Sequence, residues 1–485
     1  MKRITIDPVT RLEGHGKIEI FLDEEGEVAN AYMQIPEFRG FEKFCEERPA
    51  EELPRITPRI CGVCPPAHHL ASTKACDALW KVDPPSPAKK LRELFYSAYY
   101  FADHLLAIYY LQGPDLIVGP TAPAAKRNIL GVIEKVGLDV GKEVIKHRAY
   151  GQKILEMLGG KPIHPTWGIP GGVTKGFTEE ERAQVEEMAK SAVEFGKFTL
   201  KAIDDIVLKN KEYVDLILSD PYTISSYYMG LVDNNNKVNF YDGDIRVVDP
   251  EGKEFAKFKP HEYLDFIEER VEPWTYLKFP YLKGVGWKGF VGGKDSGVYR
   301  VAPLARLNAA DGMATPLAQA EYERFYETLG GKPVPHTLAT HWARAIELMY
   351  AAERLLELIQ DEEITSDNIR IIPTETPTEG VGVVEACRGT LYHHYQTDPD
   401  GIITKVNLIV ATVNNNAAIC MSIKKAAQGV IKKGKVDDGI LNMVEMAFRA
   451  YDPCFACGTH TLPGQMPLEV NIYNHHQELI KTFRR

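Results

Sequence analysis

Two pairs of cysteines with the spacing of metal ligands stand near opposite ends of the chain. The first pair is Cys61 and Cys64, in the segment RICGVC, and the second is Cys454 and Cys457, in DPCFACGTH. Two intervening residues let both sulfurs of a pair face one ion while the backbone amides inside the loop point at them, which favours thiolate. Four thiolates select soft or borderline metals such as zinc, nickel or iron.

Spacing alone favours a structural zinc site with four cysteines. Two features argue against it. Zinc ribbons usually keep their pairs within about 15–20 residues, whereas most of the chain separates these two pairs. A histidine also follows each pair and Asp452 precedes the second, and such polar neighbours suit a site that moves protons. Two independent redox dithiols are a weaker alternative, because no thioredoxin-like βαβ pattern surrounds either pair.

The composition is that of an ordinary globular protein, with 485 residues, 44% of them hydrophobic, and a net charge of −10. This acidic balance argues against partners such as nucleic acid or an anionic membrane, which require a basic surface. The sequence has no uninterrupted run of about 18 apolar residues, so no membrane span is predicted. The residues after the N-terminus also lack the apolar core of a signal peptide. We therefore expect a cytoplasmic protein whose 8 cysteines are free thiols or metal ligands.

The elements that must position these cysteines change type along the chain. Apolar alternation predicts N-terminal strands at 2–9, 17–22 and 28–35, with the last two joined as a hairpin. The pattern becomes helical from Pro66 onward, and residues 88–111 place their apolar side chains on one helical face.

Two further long helices and two short β regions are predicted. A capping box at 178–181 begins a helix that runs to about Leu208, and a second helix covers 340–359. The turn-rich stretch 222–258 predicts a small β excursion, and residues 398–401 predict a hairpin between two strands. The predicted fold class is α+β, predominantly helical.

Taken together, the two cysteine motifs resemble the paired signatures of the large subunit of nickel–iron hydrogenases. Further segments match in the expected order from Arg11 to His460, so the resemblance covers nearly the whole chain. It implies the fold of that subunit, with residues 1–460 as one catalytic domain. It also implies reversible heterolytic cleavage of dihydrogen into a hydride and a proton.

The resemblance assigns a separate role to each cysteine. By position, Cys61 and Cys454 would be terminal ligands of nickel, while Cys64 and Cys457 would bridge nickel to an iron. That iron carries carbon monoxide and two cyanide ligands in the family.

The segment RLEGH at 11–15 is similar to the N-terminal motif of the family, whose glutamate relays protons from the terminal cysteine. Glu13 would have this role, and burial would raise the pKa of its carboxyl group so that it exchanges protons near neutrality. Without the cysteine motifs, a surface glutamate at a strand–turn would be the preferred interpretation.

The segment FRGFE at 38–42 resembles the one that supplies a carboxylate to a magnesium or iron ion beside the nickel site. The implied ligands are Glu42, the backbone carbonyl of Leu408 and the side chain of His460, a set suited to a hard, partly hydrated cation. Taken alone, Glu42 is one acid of a charged, solvated stretch.

Arg388, in the segment EACRG, matches the arginine held over the open metal position. A guanidinium there can hydrogen-bond a cyanide and stabilise developing charge. Asp103 and Asp452 match the carboxylates that orient it, although Asp103 alone could be a helix-surface acid. Thr412 matches the hydroxyl residue that contacts the second cyanide, and His68 the histidine near a bridging sulfur.

The chain departs from the family pattern in two places and continues beyond its last motif. Cys387 stands where proline usually precedes the arginine, and 412–415 lacks a common tryptophan; neither change removes a ligand. A maturation endopeptidase of this family cuts after the terminal histidine, so we expect removal of 461–485. The alternative is an ordinary C-terminal strand and helix, which 468–472 could partly form.

Electrons released from dihydrogen have no visible route within this chain. The remaining cysteines, Cys45, Cys76, Cys387 and Cys420, lack the close spacing of an iron–sulfur site, and no Gly-rich dinucleotide fingerprint follows a strand. The resemblance implies a partner, an iron–sulfur small subunit, which would dock through a large apolar interface.

The segment CPPAHH at 64–69 looks most like the cytoplasmic methyl-viologen-reducing type, which does not use deazaflavin. In methanogens and similar anaerobes, that type feeds a heterodisulfide reductase through an electron-transfer subunit. The alternative is a hydrogenase that delivers electrons to deazaflavin or to NAD(P).

Overall fold

The computed structural model describes residues 2–459, 469–476 and 478–484. Its strands are β1 (Lys2–Ile6), β2 (Lys17–Leu22), β3 (Val28–Gln34), β4 (Gly168–Ile169), β5 (Gly172–Val173), β6 (Tyr227–Val232), β7 (Asp244–Val248), β8 (Glu254–Phe258), β9 (Ile267–Val271), β10 (Lys278–Leu282), β11 (Tyr299–Arg300), β12 (Glu379–Ala386), β13 (Gly389–Thr397), β14 (Ile403–Ile409), β15 (Glu469–Tyr473) and β16 (Leu479–Arg484). Its α-helices are α1 (Phe41–Cys45), α2 (Leu53–Ile56), α3 (Pro65–Leu79), α4 (Ser86–Leu106), α5 (Ile129–Val136), α6 (Leu138–Gly159), α7 (Glu179–Ile203), α8 (Lys211–Leu218), α9 (Tyr263–Phe266), α10 (Pro303–Ala309), α11 (Pro316–Thr328), α12 (Thr340–Gln360), α13 (Asn416–Val430), α14 (Asp438–Arg449) and α15 (Phe455–Gly458).

The N-terminal strands form a three-stranded antiparallel sheet in the order β1–β2–β3. Ile18 and Ile20 of β2 are completely buried in the core cluster that also includes residues of α13. The three predicted strands are confirmed. β1 ends before the predicted boundary at residue 9, because Pro8 has no amide hydrogen to donate to the ladder.

Three long helices form the centre of the helical body, with α12 packed against both α4 and α7. All three were predicted from the spacing of apolar residues. The capping box is present: the Glu181 amide donates to the Thr178 hydroxyl, and the Thr178 amide to the Glu181 carboxylate, each at 3.1 Å. α4 and α7 end before their predicted boundaries, and each continues as a wider π-helical turn.

The β excursion is larger than predicted. Strands β6, β7 and β8 lie within 222–258, and they form one sheet with β11 in the order β11–β6–β7–β8. β11 pairs parallel to β6 through Tyr299 and Arg300. A two-residue strand is too short to show periodicity, which is why the sequence pattern did not indicate it.

The antiparallel sheet β12–β13–β14 packs against α3, the helix that follows the first cysteine pair. Its glycines set the distance between them: a Cβ on Gly382 would lie 2.0 Å from the Ala71 carbonyl oxygen, and one on Gly380 would lie 2.3 Å from that of Ala75. The hairpin predicted at 398–401 joins β13 to β14.

Beyond the second cysteine pair, β15 and β16 form an antiparallel hairpin. β15 matches the partial strand predicted at 468–472, but the second element is a strand where the alternative was a helix. Within the described residues, every helix is too short or too polar to cross a bilayer. The predicted α+β class, with helices dominating, is confirmed.

Candidate metal centre

The first cysteine pair lies in the loop that leads into α3, and Pro65 and Pro66 begin that helix. Proline is favourable at the first helical positions because the amide there has no intrahelical acceptor. The loop turns its amides inward: Val63 and Cys64 donate to the Sγ of Cys61 at 3.1 and 3.4 Å. The predicted amide-to-sulfur geometry is therefore present at this pair.

The second pair lies in the loop that includes the short helix α15, and its amides point elsewhere. Glu13 forms a parallel bridge with Cys454, and the Phe455 amide donates to the Glu13 carbonyl at 3.0 Å. The Ala456 amide donates to the Glu13 carboxylate at 3.1 Å. The predicted amide-to-sulfur geometry is wrong here, because the returning N-terminal segment takes these two donors.

The two pairs converge on one point in the buried interior. Cys61 Sγ lies 3.2 Å from Cys454 Sγ, Cys64 Sγ lies 3.2 Å from Cys457 Sγ, and the sulfurs of Cys454 and Cys457 are 2.8 Å apart. All four sulfurs lie within 4.8 Å of one another. Four buried soft donors at these separations fit a shared metal ion.

Arg39 links the two cysteine loops, a role that the sequence did not reveal. Its guanidinium donates to the carbonyl of Ile60, beside the first pair, at 2.7 Å and to that of Ala456, inside the second pair, at 3.2 Å. An arginine between a phenylalanine and a glycine carries no local signal for such a bridge.

Each cysteine at the Cys61–Cys454 contact has a different electrostatic environment. Burial opposes ionisation of Cys61, but hydrogen bonds from the other three cysteines and from an amide outweigh it and lower the pKa of the Cys61 thiol. Burial, together with the neighbouring sulfurs, raises the pKa of the Cys454 thiol well above its usual value. Burial also raises the pKa of Glu13, and the negative charge of Cys61 adds to this effect.

Glu13 is in direct contact with the sulfur of Cys454. Its Oε2 lies 3.0 Å from Cys454 Sγ, so the thiol can donate a proton to the carboxylate. Gly14 makes this approach possible, because its positive φ of 87° favours glycine and a Cβ would lie 2.8 Å from the Ala456 nitrogen. The structure thus brings the N-terminal motif to the second cysteine loop.

Arg388 is buried between the two carboxylates expected beside it. Its Nη1 and Nη2 donate to Asp103 at 2.7 and 3.1 Å, and Nη2 lies 2.9 Å from Asp452 Oδ2. Its Nε donates to the Asp452 carbonyl at 2.7 Å. Asp103 is buried on α4, so the helix-surface alternative is wrong.

One arginine cannot stabilise the two carboxylates equally. For Asp103, Arg388 outweighs the burial penalty and lowers the pKa of the carboxyl group. For Asp452, burial dominates and raises the pKa to about 6, although Arg388 and Arg344 act in the opposite direction. The bidentate hydrogen bonds therefore favour ionised Asp103.

Thr412 and His68 also lie in the buried interior. The Thr412 hydroxyl oxygen accepts a 3.0 Å hydrogen bond from the Cys454 amide, which leaves its own hydrogen for another acceptor. His68 lies one helical turn after Cys64, and its Nδ1 is 3.1 Å from Nε2 of His393.

Two of the three ligands expected for the magnesium or iron ion, Glu42 and Leu408, are adjacent. Glu42 is buried on α1, and its Oε1 accepts a 2.8 Å hydrogen bond from the amide of Leu408. The predicted ion ligand was the carbonyl of Leu408, whereas the hydrogen bond to Glu42 comes from the Leu408 backbone nitrogen. His460 lies outside the described residues.

The four remaining cysteines are buried free thiols outside the metal-binding group. Within the described chain, the Cys61, Cys64, Cys454 and Cys457 group is the only cluster of three or more Cys, His, Asp or Glu ligand atoms close enough for one ion. Cys76, for example, donates to the carbonyl of Ala50.

Comparison with known proteins points to one family. Residues 39–128 and 278–460 match the nickel-dependent hydrogenase family, and residues 3–38 match a HoxL-like family. The chain is 52% identical over 485 residues to an iron-sulfur subunit of the F420-non-reducing hydrogenase of Archaeoglobus profundus, with 100% of each chain covered. It is 41% identical over 488 residues to an F420-non-reducing hydrogenase subunit of Methanothermobacter thermautotrophicus, covering 99% and 100%.

A solved structure gives the same answer for the fold. The crystal structure of an NAD+-reducing nickel–iron hydrogenase in the H2-reduced state superposes with a TM-score of 0.89 at 36% identity, covering 95% of this chain and 100% of that chain. The structural zinc protein that spacing alone favoured is therefore not retained, and the resemblance to the F420-non-reducing type is confirmed. The chain belongs to the nickel-dependent hydrogenase family, as the large catalytic subunit of a nickel–iron hydrogenase, an oxidoreductase that acts on dihydrogen.

Proposed function

We propose that the four converging cysteines bind nickel and iron in the arrangement that the family resemblance implies. Cys61 and Cys454 would be terminal ligands of nickel, and Cys64 and Cys457 would be ligands of both nickel and an iron with carbon monoxide and two cyanides. The convergence of these sulfurs from opposite ends of the chain is the observation that carries the proposal. When bound, this centre supplies the heterolytic cleavage of dihydrogen.

Glu13 is the proton acceptor of the site. The proton moves from Cys454 Sγ to Glu13 Oε2, which lies 3.0 Å away. Burial raises the pKa of this carboxyl group, which makes it a stronger proton acceptor than an exposed glutamate. The amide of Ala456 holds the same oxygen in place.

Arg388 and Thr412 would hold the two cyanides. The guanidinium is oriented by Asp103 and Asp452, and it would stabilise charge that develops over the open metal position. The Thr412 hydroxyl accepts from the Cys454 amide, which leaves its own hydrogen for the second cyanide. His68 lies beside the bridging sulfur of Cys64.

A magnesium or iron ion would bind at a third site formed by Glu42, the Leu408 carbonyl and His460. The adjacency of Glu42 and Leu408 in the buried interior supports this assignment. Magnesium analysis of the purified protein and of Glu42→Gln would test it, with loss of the ion expected in the variant.

Electrons leave through an iron–sulfur small subunit, then pass through an electron-transfer subunit to a heterodisulfide reductase in the cytoplasm. The similarity to two F420-non-reducing hydrogenase subunits supports this route. Delivery to deazaflavin or NAD(P) is the alternative, and the NAD+-reducing structural neighbour keeps it relevant.

The catalytic domain is 1–460, and a maturation endopeptidase removes 461–485. An exposed hairpin in that segment, with Leu479 and Ile480 in contact with solvent, is consistent with an extension that adds little to the core. The intact mass of nickel-loaded protein tests this: a mass that still includes Arg485 would contradict the cleavage.

Metal analysis and infrared spectroscopy of the anaerobically purified complex test the proposal as a whole. We expect nickel and iron in a one-to-one ratio and infrared bands from the diatomic ligands. Cys454→Ser should abolish turnover, whereas Cys76→Ser, which keeps a donor to the Ala50 carbonyl, should retain it. A single zinc with no diatomic bands would overturn the assignment.

A further inference from the structure

Arg388 stands at a position where a protein chain is ordinarily exposed and mobile. Ala386 of β12 pairs with Gly389 of β13, so Cys387 and Arg388 are the two residues of a tight hairpin turn. Hairpin turns usually lie on the surface, yet Cys387 and Arg388 are 1% and 2% exposed. A turn buried in this way requires partners for its backbone.

Side chains donate to the backbone carbonyls of this turn and of the residue before it. Tyr96 and Tyr100 donate to the Glu385 carbonyl at 2.5 and 2.8 Å. Asn415 donates to the Arg388 carbonyl at 3.1 Å. The two carbonyls between them, those of Ala386 and Cys387, accept from a single residue, Arg306, at 2.9 and 3.1 Å.

Arg306 uses all of its donors in this buried position on α10. Nε and Nη2 donate to the two oxygens of Glu347 at 2.6 and 2.7 Å, and Nη1 donates to Glu385 at 2.7 Å. With the two turn carbonyls, these contacts occupy its five N–H groups. The side chains of Arg306, Glu347 and Glu385 are 0% exposed.

The carboxylates that hold Arg306 are themselves tied to the surrounding elements. Glu347 of α12 lies 3.0 Å from Nε2 of His104. Glu385 accepts from the Thr390 hydroxyl at 2.7 Å and from the Leu231 amide at 2.9 Å. The arginine is therefore a rigid link between α10, α12 and the end of β12.

Stability alone does not account for the buried ionic triad of Arg306, Glu347 and Glu385. Buried ion pairs are often no more stabilising than apolar residues of the same volume, because removing charges from water offsets their attraction. What a fully satisfied buried network provides is a defined geometry. Here the geometry is imposed on the two carbonyls that immediately precede Arg388.

We propose that Arg306 is a positioning residue for Arg388: it fixes the backbone of the Cys387–Arg388 turn so that the guanidinium is held between Asp103 and Asp452. This inference rests on the proposed role of Arg388 at the cyanide. The five hydrogen bonds of Arg306 do not reach the four metal-binding cysteines or the side chains that bond to them. Its effect therefore passes through the turn backbone.

Arg306→Lys in the holoenzyme complex tests the proposal, because lysine keeps the charge but cannot serve five acceptors. We expect the cyanide infrared bands to shift by more than their width and turnover to fall about 10- to 100-fold, since small misplacements of a catalytic group have effects of this size. The KM for dihydrogen should change by less than about twofold.

Arg92→Lys is the matched control. Arg92 is also completely buried, pairs with Asp77, and donates to two carbonyls of another tight turn, those of Ile169 and Gly172. We expect a lower unfolding temperature but unchanged cyanide bands and turnover. Equal spectral shifts in both variants would overturn a specific role of Arg306.

Two more variants separate this inference from the proposed role of Arg388. If Arg388→Lys leaves the cyanide bands and turnover unchanged, the role of Arg388 is wrong. If Arg388→Lys changes both and Arg306→Lys changes neither, only the Arg306 inference is wrong. Should Arg306→Lys fail to fold, Glu347→Gln decides: a smaller shift of the same bands supports the inference, and parental bands overturn it.

Discussion

The two cysteine loops supply the same ligand type in opposite chemical settings. In the N-terminal loop, the amides of Val63 and Cys64 donate to the sulfur of Cys61. In the C-terminal loop, the amides of Phe455 and Ala456 donate to Glu13, whose carboxylate in turn contacts the sulfur of Cys454. The sulfur of Cys61 therefore accepts from amide donors, whereas the sulfur of Cys454 faces an acceptor.

This difference assigns the proton chemistry to one side of the centre. Amide donors stabilise negative charge on sulfur, so Cys61 is suited to remain a thiolate. A carboxylate beside a thiol stabilises the protonated sulfur and can accept its proton, which supports the proposal that Cys454 is the sulfur that exchanges it. The two cysteine loops thus share the CxxC spacing but give their sulfurs different chemical environments.

Removing the acceptor should have the largest effect. Glu13→Gln retains an oxygen for the Ala456 amide but cannot accept the proton of Cys454, so we expect dihydrogen-dependent dye reduction to fall about 10²- to 10³-fold at parental nickel content. Glu19→Gln, a substitution at another buried glutamate in the N-terminal sheet, is the control and should retain turnover. Parental turnover in Glu13→Gln would remove the distinction between the loops.

The loops also differ in how closely another segment approaches them. At Gly14, a Cβ would lie 2.8 Å from the Ala456 nitrogen and the φ of 87° disfavours a side chain, so Gly14→Ala should lower the free energy of unfolding by about 2 kcal/mol. At Gly62, nothing lies within 4 Å of a Cβ, so Gly62→Ala should be nearly neutral. Chemical denaturation measures both, and equal losses would argue against a tighter C-terminal loop.

Arg39 joins the two loops, so its removal should weaken both equally. We expect Arg39→Gln to lose about 1–2 kcal/mol of stability, because two carbonyls lose a charged donor, and to release nickel faster in the presence of a chelator. Arg48→Gln is the control, because Arg48 donates to the carbonyl of Phe44, away from both loops. Similar nickel release in the two variants would show that Arg39 does not bridge the site.

The smallest effect is expected at the hydroxyl behind the second loop. Thr412→Val leaves the buried amide of Cys454 without its acceptor, which should reduce stability by about 1 kcal/mol. The hydroxyl of Thr340 only donates to a carbonyl, so Thr340→Val should cost less. Thermal unfolding of the two variants compares them, and a larger loss at Thr340 would contradict the hydrogen bond at Cys454.

Much of the fold was accessible from local patterns. The long helices α4, α7 and α12 and the N-terminal strands follow from apolar spacing, because each buries a face that repeats with the period of its own element. Tyr299 and Arg300 were missed as a strand because their pairing depends on a distant partner, β6.

Two arginines that link distant segments were missed for a related reason. Arg39 and Arg306 have no local signal, since arginine is ordinarily a surface residue and its acceptors here lie far away in the chain. The same holds for the inner amides of the second loop, which were expected to face sulfur. Nothing within that segment indicates that Glu13 arrives to take them.

By itself, the sequence indicated the four metal-binding cysteines, the family, and the type of each long element, because these depend on residue chemistry and on neighbours a few positions away. The tertiary structure alone decided that Glu13 contacts Cys454 and takes the amides of the second loop, and that Arg306 donates to the two carbonyls that precede Arg388. These contacts join residues 441 and about 80 positions apart in the chain, and burial makes each such contact strong by excluding the water that would otherwise screen it.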